Sequence, residues 1–265
     1  MDNLFNRKIL FKATDTNLNT TIDITDLRIE FNINKDNKPQ PNTAKFTIYN
    51  LSKDTMDFLS KKGINISFFG GYNKADSVLF IGQIAFVSHK YNGLDWVSDI
   101  NCQDSVNGLN LVKVNKSFNG RVSLDTVLKY LISEMGLGIG LLKIPDIQFN
   151  NGIALSGFAR DRIREYCKNE NLSFSVQDGN VYIILISEKI TNNIFTINAE
   201  SGLVGSPVLT EKGVKLEILL NGNVKIGYQI KIDSQSVNGT FKIDTLTHNG
   251  SQFDGNFYTS IEALK

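Results

Sequence analysis

The sequence predicts a mainly β (α+β) protein in which two antiparallel β regions flank a small inserted α+β unit. Three observations carry this. Period-two runs fill both ends of the chain: in "LRIEFNI" (27–33) Leu27, Ile29, Phe31 and Ile33 share one face, and "VKLEILL" (214–220) alternates in the same way. Breakers such as Gly70-Gly71, Asn92-Gly93, Asn221-Gly222, Asn238-Gly239 and Asp254-Gly255 separate these runs, as turns do in all-β folds. Between the two ends the apolar period changes to that of a helix.

The elements follow in order. Strands are expected at 8–12, 27–33 and 43–49, where Ala44, Phe46 and Ile48 alternate with polar partners. After Asn50 the rhythm shifts to three and four. Ser52 is placed to cap a short helix over 53–60, and Leu51 and Met56 occupy the two positions of a hydrophobic staple, with Leu59 a turn further on. Further strands are expected at 64–69, 78–87 and 94–102. In "SLDTVLKYLISEMG" Ser123 caps a helix, Leu124, Val127, Leu128, Leu131, Ile132 and Met135 make its apolar face, and Gly136 ends it. A second helix, "FARDRIREYCKNE", buries Ala159, Ile163, Tyr166 and Cys167 on one side. It leads into a hairpin turning at Asp178-Gly179. Strands return at 214–220, 228–233, 239–248 and 256–264. The boundaries expected are 1–112, 113–190 and 191–265, with 105–120 assignable to either neighbour.

Composition removes several function classes. With 28 Lys and Arg against 27 Asp and Glu, the net charge of +1 gives no long-range pull toward nucleic acid or an anionic membrane. No stretch approaches the roughly 20 apolar residues of a membrane-spanning helix. "MDNLFNRKIL" lacks a basic segment followed by an apolar core, so the reading is of a chain made in a cytoplasm without a secretory leader. Cys102 and Cys167 fall in a strand and on a helix, where buried thiols are expected rather than a disulfide framework.

The search for reactive chemistry is negative. His89 and His248 are the chain's two histidines, each in or beside a strand and without ligands at zinc spacing. "MGLGIGLL" (135–142) follows a helix, whereas a dinucleotide fingerprint follows a strand. Asp99 with Asp104, and Asp233 with Asp244, lack the spacing of a calcium loop. "RDRIRE" (160–165) mixes signs along a helix face, as a salt-bridged surface does. Trp96 reads as core or as a subunit contact. The expectation is no enzyme, no catalytic residue, no cofactor and no metal.

"TAKFTIYNLSKDTMDFL" (43–59), followed by "ISFFGGY", "VLFIGQI" and "GLDWVSDINCQDS", resembles the N-terminal barrel of phage baseplate hub proteins. "GLVGSPVLTEKGVKLEILLNGNVKIGYQIKID" and "NGTFKIDTLTHNGSQFDGNFYTSIEA" resemble their second barrel, and "ALSGFARDRIREYCKNENLSFSVQDGNVYII" their inserted unit. The resemblance implies two tail-tube-like antiparallel β-barrels per chain. It further implies a homotrimer whose six barrels adapt a sixfold tail tube to a threefold central spike. The implied partners are the tail-tube ring, the spike, and other baseplate or tape-measure proteins. The implied location is the virion tail tip, after assembly in the host cytoplasm, with DNA passing through the channel without being read. Leu51, Met56 and Leu59 become candidates for bracing the barrel or touching a neighbouring subunit. The alternative within virion proteins is a distal-tail or adaptor protein of a non-contractile tail; alternatives of other classes are a tail-associated glycan-binding module and a cell-wall-degrading one.

Overall fold

The computed structural model describes residues 6–38, 40–104, 112–188, 194–253 and 255–265. The chain opens with β1 (Arg7–Asp15), β2 (Thr20–Ile24), β3 (Ile29–Asp36), β4 (Thr43–Tyr49), α1 (Lys53–Leu59), β5 (Ile64–Tyr72), β6 (Ser77–Tyr91) and β7 (Trp96–Gln103). Its middle holds β8 (Lys113–Phe118), β9 (Val122–Ser123), α2 (Leu124–Glu134), β10 (Gly138–Lys143), β11 (Gln148–Phe149), β12 (Ile153–Phe158), α3 (Ala159–Asn169), β13 (Leu172–Gln177) and β14 (Asn180–Leu185). It closes with β15 (Ile194–Ile197), β16 (Leu203–Leu209), β17 (Gly213–Leu219), β18 (Gln229–Asp233), β19 (Asn238–Ser251) and β20 (Phe257–Leu264). Two compact units result: Met1–Asp36, Asn42–Asp104 and Thr191–Lys265 form one, and Asn37–Pro41 with Ser105–Ile190 the other.

In the first unit, thirteen of the described strands share one sheet. Its order is β16-β17-β20-β19-β3-β4-β7-β6-β5-β1-β2, with β18 on β19 and β15 parallel to β18. Both β regions expected from the sequence are present, and they are fused. β19 is long enough to pair β18 with its first residues and β3 with its last, placing His248 opposite Ile33 and Gly250 opposite Phe31. Two apolar cores lie along this sheet. The first is aromatic, built on Phe11, Phe31, Phe46, Phe68 and Phe80; the second is aliphatic, built on Ile218, Ile230, Ile232, Ile243 and Ile261. β20 serves both, giving Phe257 to the first and Ile261 and Ala263 to the second. The face named in β3 is buried as expected, with Ile29, Phe31 and Ile33 at 0–4% exposure and Leu27 packed beside them.

The second unit has a three-stranded sheet, β10-β14-β13, in which β10 runs parallel to β14. Asp178 and Gly179 both adopt positive φ, +50° and +77°, as the tight turn between β13 and β14 requires. Helix α2 buries Leu124, Val127, Leu128, Leu131 and Ile132. Gly136, at φ +67°, ends it: its N–H donates to Ser133 and that of Leu137 to Ile132, the two bonds of a Schellman stop. At the other end Ser123 Oγ accepts the Thr126 N–H at 3.2 Å. Ser123→Ala is expected to lower the stability of this unit by about 1 kcal/mol, read as a lower urea midpoint at unchanged slope.

Some elements differ from expectation. β2, β8, β9, β10, β11, β12, β15 and β16 were not anticipated. They are short, or, like the glycine-containing β10, carry little alternation. Asn221-Gly222 does not close a hairpin, since β17 pairs β16 and β20 while β18 pairs β15 and β19. Asn238-Gly239 lies within β19, and the β18–β19 turn is 234–237. Asp254 lies outside the described residues.

Candidate assembly interface

The junction between β4 and α1 is a pinned corner. Asn50 takes the left-handed conformation at φ +57°, and both its backbone and its side chain are held by the strand that begins at Trp96. Its N–H donates to the Trp96 carbonyl at 2.7 Å, its Oδ1 accepts the Trp96 N–H at 3.0 Å, and its Nδ2 donates to Asp95 at 2.7 Å. Ser52 then caps α1 by accepting the Thr55 N–H. Of the three residues singled out in the sequence, Leu51 and Leu59 are buried at 5% and 0% exposure in the aromatic core, and Met56 packs half-buried against it.

α1 is tied to the sheet through His89. Ser60 Oγ donates to the Met56 carbonyl at 2.8 Å, so it accepts at 3.2 Å from His89 Nε2. The Ser98 hydroxyl then faces His89 Nδ1 at 2.8 Å. One imidazole thus spans the helix end and two strands, and a structural histidine is what the lone position predicted.

Beside this corner β6 changes partners. Its first residues pair β5 as far as Gln83 opposite Asn65, and from Gln83 onward it pairs β7. Gly82 stands at the crossing, where an added Cβ would meet the Gln103 carbonyl at 2.4 Å and the Phe80 ring at 2.6 Å. Beyond it, among the described residues, 85–91 have β7 on one side and no strand on the other. A register shift between Ile84 and Phe86 turns the alternation over. Phe86 is consequently 61% exposed, and at the far end of the hairpin Tyr91, Leu94 and Trp96 are 55, 90 and 44% exposed, whereas Phe80 and Ile100 on the same two strands are 0% exposed. The Tyr91 and Trp96 rings pack together at 5.6 Å. Asn92 accepts the Leu94 and Asp95 N–H groups and fixes the turn that carries Leu94.

Among the described residues, 85–91 thus present a strand edge beside exposed aromatic and aliphatic side chains, the kind of feature on which chains associate. Among the described residues no three His, Cys, Asp or Glu side chains are grouped to hold a metal ion. Burial pushes the Cys102 thiol above its ordinary range and that of Cys167 up to about 12, which keeps both thiols protonated and unreactive. No helix among the described residues is long and apolar enough to cross a membrane.

A family model described as baseplate hub gp41 matches residues 8–263. The chain belongs to the baseplate hub gp41 family. This hub protein also shares its fold with solved tail proteins. It aligns with the 43 kDa tail protein of prophage MuSo2 from Shewanella oneidensis at a TM-score of 0.69 and 8% identity, covering 98% of this chain and 97% of that one. A tail protein from Neisseria meningitidis MC58 gives 0.66 at 9% identity, covering 97% and 96%. The E. coli c3393 protein, a type VI secretion component described as similar to the T4 tail proteins gp27 and gp5, gives 0.64 at 9% identity, covering 90% and 73%. No curated protein sequence matches the chain. The hub protein is therefore a structural component of a phage tail baseplate, which places it in the virion tail.

Residues 85–91 and Leu94 were missed by sequence reasoning. "VLFIGQIAFV" reads as one buried apolar run, and the signal against that reading is Gly82, which marks where the strand changes neighbours. Trp96 was expected in the core or at a subunit contact and lies exposed at the hairpin.

Proposed function

We propose that three copies of this hub protein form a ring of six barrels that adapts a sixfold tail tube to a threefold central spike in a contractile tail. The observation that supports it most directly is the pair of apolar cores on one continuous sheet, joined where β19 pairs β3. One chain with two similar β halves presents two lateral surfaces, so three chains offer six positions to a tube above and three to a spike below. Other baseplate or tape-measure proteins complete the contacts, assembly takes place in the host cytoplasm, and the channel passes DNA without reading it. Leu51, Met56 and Leu59 act as the brace that holds the β4–α1 corner, and Phe86, Tyr91, Leu94 and Trp96 beside it meet the neighbouring subunit.

The test is the solution mass of the purified protein by light scattering, with negative-stain images of the same peak. A three-chain ring with a central channel is expected. Replacing Phe86, Leu94 and Trp96 together by Ser is expected to shift the mass to one chain while the far-UV circular dichroism of the folded chain is unchanged. A chain that stays monomeric, fails to join tube and spike proteins, and instead binds a glycan or degrades cell wall would overturn the reading.

A further inference from the structure

The two cores of the first unit do not merge into one. β20 leaves the aromatic core at Phe257 and enters the aliphatic one at Ile261, with Thr259 between them. β19 makes the same passage: Gly250 lies opposite Phe31 of the first core, Leu246 belongs to the second, and His248 stands between. Both intervening residues are polar and enclosed, His248 at 2% exposure and Thr259 at 0%. His248 Nδ1 lies 2.9 Å from Thr259 Oγ1, and that oxygen accepts the Asn221 N–H at 3.2 Å, directly after Leu220 of the aromatic core. A row of polar groups thus crosses the sheet where apolar packing is interrupted, and nothing in the hub reading calls for it.

Enclosure decides the state of the imidazole. Burial, with a smaller contribution from the Lys35 ammonium on β3, pushes His248 down to about 3, so it is neutral in the closed fold. From β20 it meets the uncharged Thr259 hydroxyl, whose oxygen in turn accepts the Asn221 N–H from the turn after β17. A proton on His248 would place a second positive charge near Lys35 in a site that excludes water, and parting the two cores would return that charge to solvent.

We propose that His248, Thr259 and Asn221 form an acid-sensitive hinge, a polar seam at which the two halves of the first unit part when His248 takes up a proton. The sign follows from the direction of the effect. Above an ordinary imidazole pKa of about 6.5 neither the closed nor the opened form binds the proton, and the opening equilibrium does not change with pH. Below it the opened form binds the proton and the closed form does not, so opening rises up to tenfold per pH unit. Between pH 7 and pH 5 the increase is about 25-fold, a range in which ordinary carboxylates stay ionised.

Amide hydrogen exchange on the full chain tests this, expressed as protection factors so that the intrinsic pH dependence of exchange cancels. Protection of the β3, β19 and β20 amides around His248 is expected to fall about 25-fold from pH 7 to pH 5, while that of α2 in the second unit holds. His248→Gln keeps an acceptor for the Thr259 hydroxyl but no titrating group, and is expected to abolish the pH effect. Should that variant not fold, the NMR titration of the chain's two imidazoles decides: His248 staying neutral at pH 5 in the closed protein supports the hinge. Equal seam protection at both pH values, an equal loss in His248→Gln, or His248 titrating near 6.5 while closed would overturn it.

Discussion

Leu59→Asp is expected to melt far below the parent, with a large part of the stability of the first unit lost. The side chain is 0% exposed in the aromatic core, at the end of a helix whose entry and exit are both fixed. A carboxylate there would stand among the apolar side chains of the aromatic core, and the loss of leucine packing adds to the cost of the charge, at least about 4 kcal/mol in all. Native domains have about 5–15 kcal/mol in total, so a large part of the margin disappears. Far-UV circular dichroism on heating reads the outcome. Met56→Glu, half-buried at the same corner, is expected to cost clearly less than Leu59→Asp, because its charge can reach water while its packing against the core is lost. If Leu59→Asp melted like the parent, α1 would not be the brace described for it.

Phe68→Ala should produce the next largest effect. Its ring centroid lies 4.8 Å from that of Phe46, 4.9 Å from Phe31 and 6.4 Å from Phe11, so it is the hub of the aromatic packing. Truncation leaves a cavity that four strands border and cannot close, at a cost of about 3–5 kcal/mol. That corresponds to a fall of roughly 6–20 °C in the melting transition of the first unit. Phe86→Ala, removing an equally large ring at 61% exposure, should change stability by no more than about 0.5 kcal/mol. A calorimetric scan of the two variants separates packing from surface, and similar shifts for both would contradict the burial pattern.

What the sequence disclosed was local. The faces of β3 and β4, the cap and stop of α2 and the Asp178-Gly179 turn each depend on residues within one or two turns of each other, so pattern alone reveals them. The quoted motifs carried the family, whose model matches residues 8–263, although identity to the solved tail proteins is only 8–9%. The β19–β3 ladder was hidden, since no local pattern records which distant edge a strand will meet. The surface of Phe86, Tyr91 and Leu94 was hidden for a related reason. A register shift after Ile84 turns Phe86 outward, and Tyr91 and Leu94 lie where β6 has run beyond its pairing with β5. His248 read as an ordinary structural histidine, and its place between two cores emerges only when β3, β19 and β20 lie side by side.

That ladder also sets a timetable. Thr247 bonds Asn34 across 213 positions of chain, and the aromatic core is completed by Phe257 near the very end. At a synthesis rate of about 5–20 residues per second, β3 waits about 10–40 s after leaving the ribosome before its permanent neighbour appears. Throughout that interval the nascent chain carries an open apolar edge, and on a polysome many such edges emerge side by side. Crowded translation is therefore the stage at which this protein is most exposed to joining the wrong chain, and yield should depend on how fast the last β strands are made.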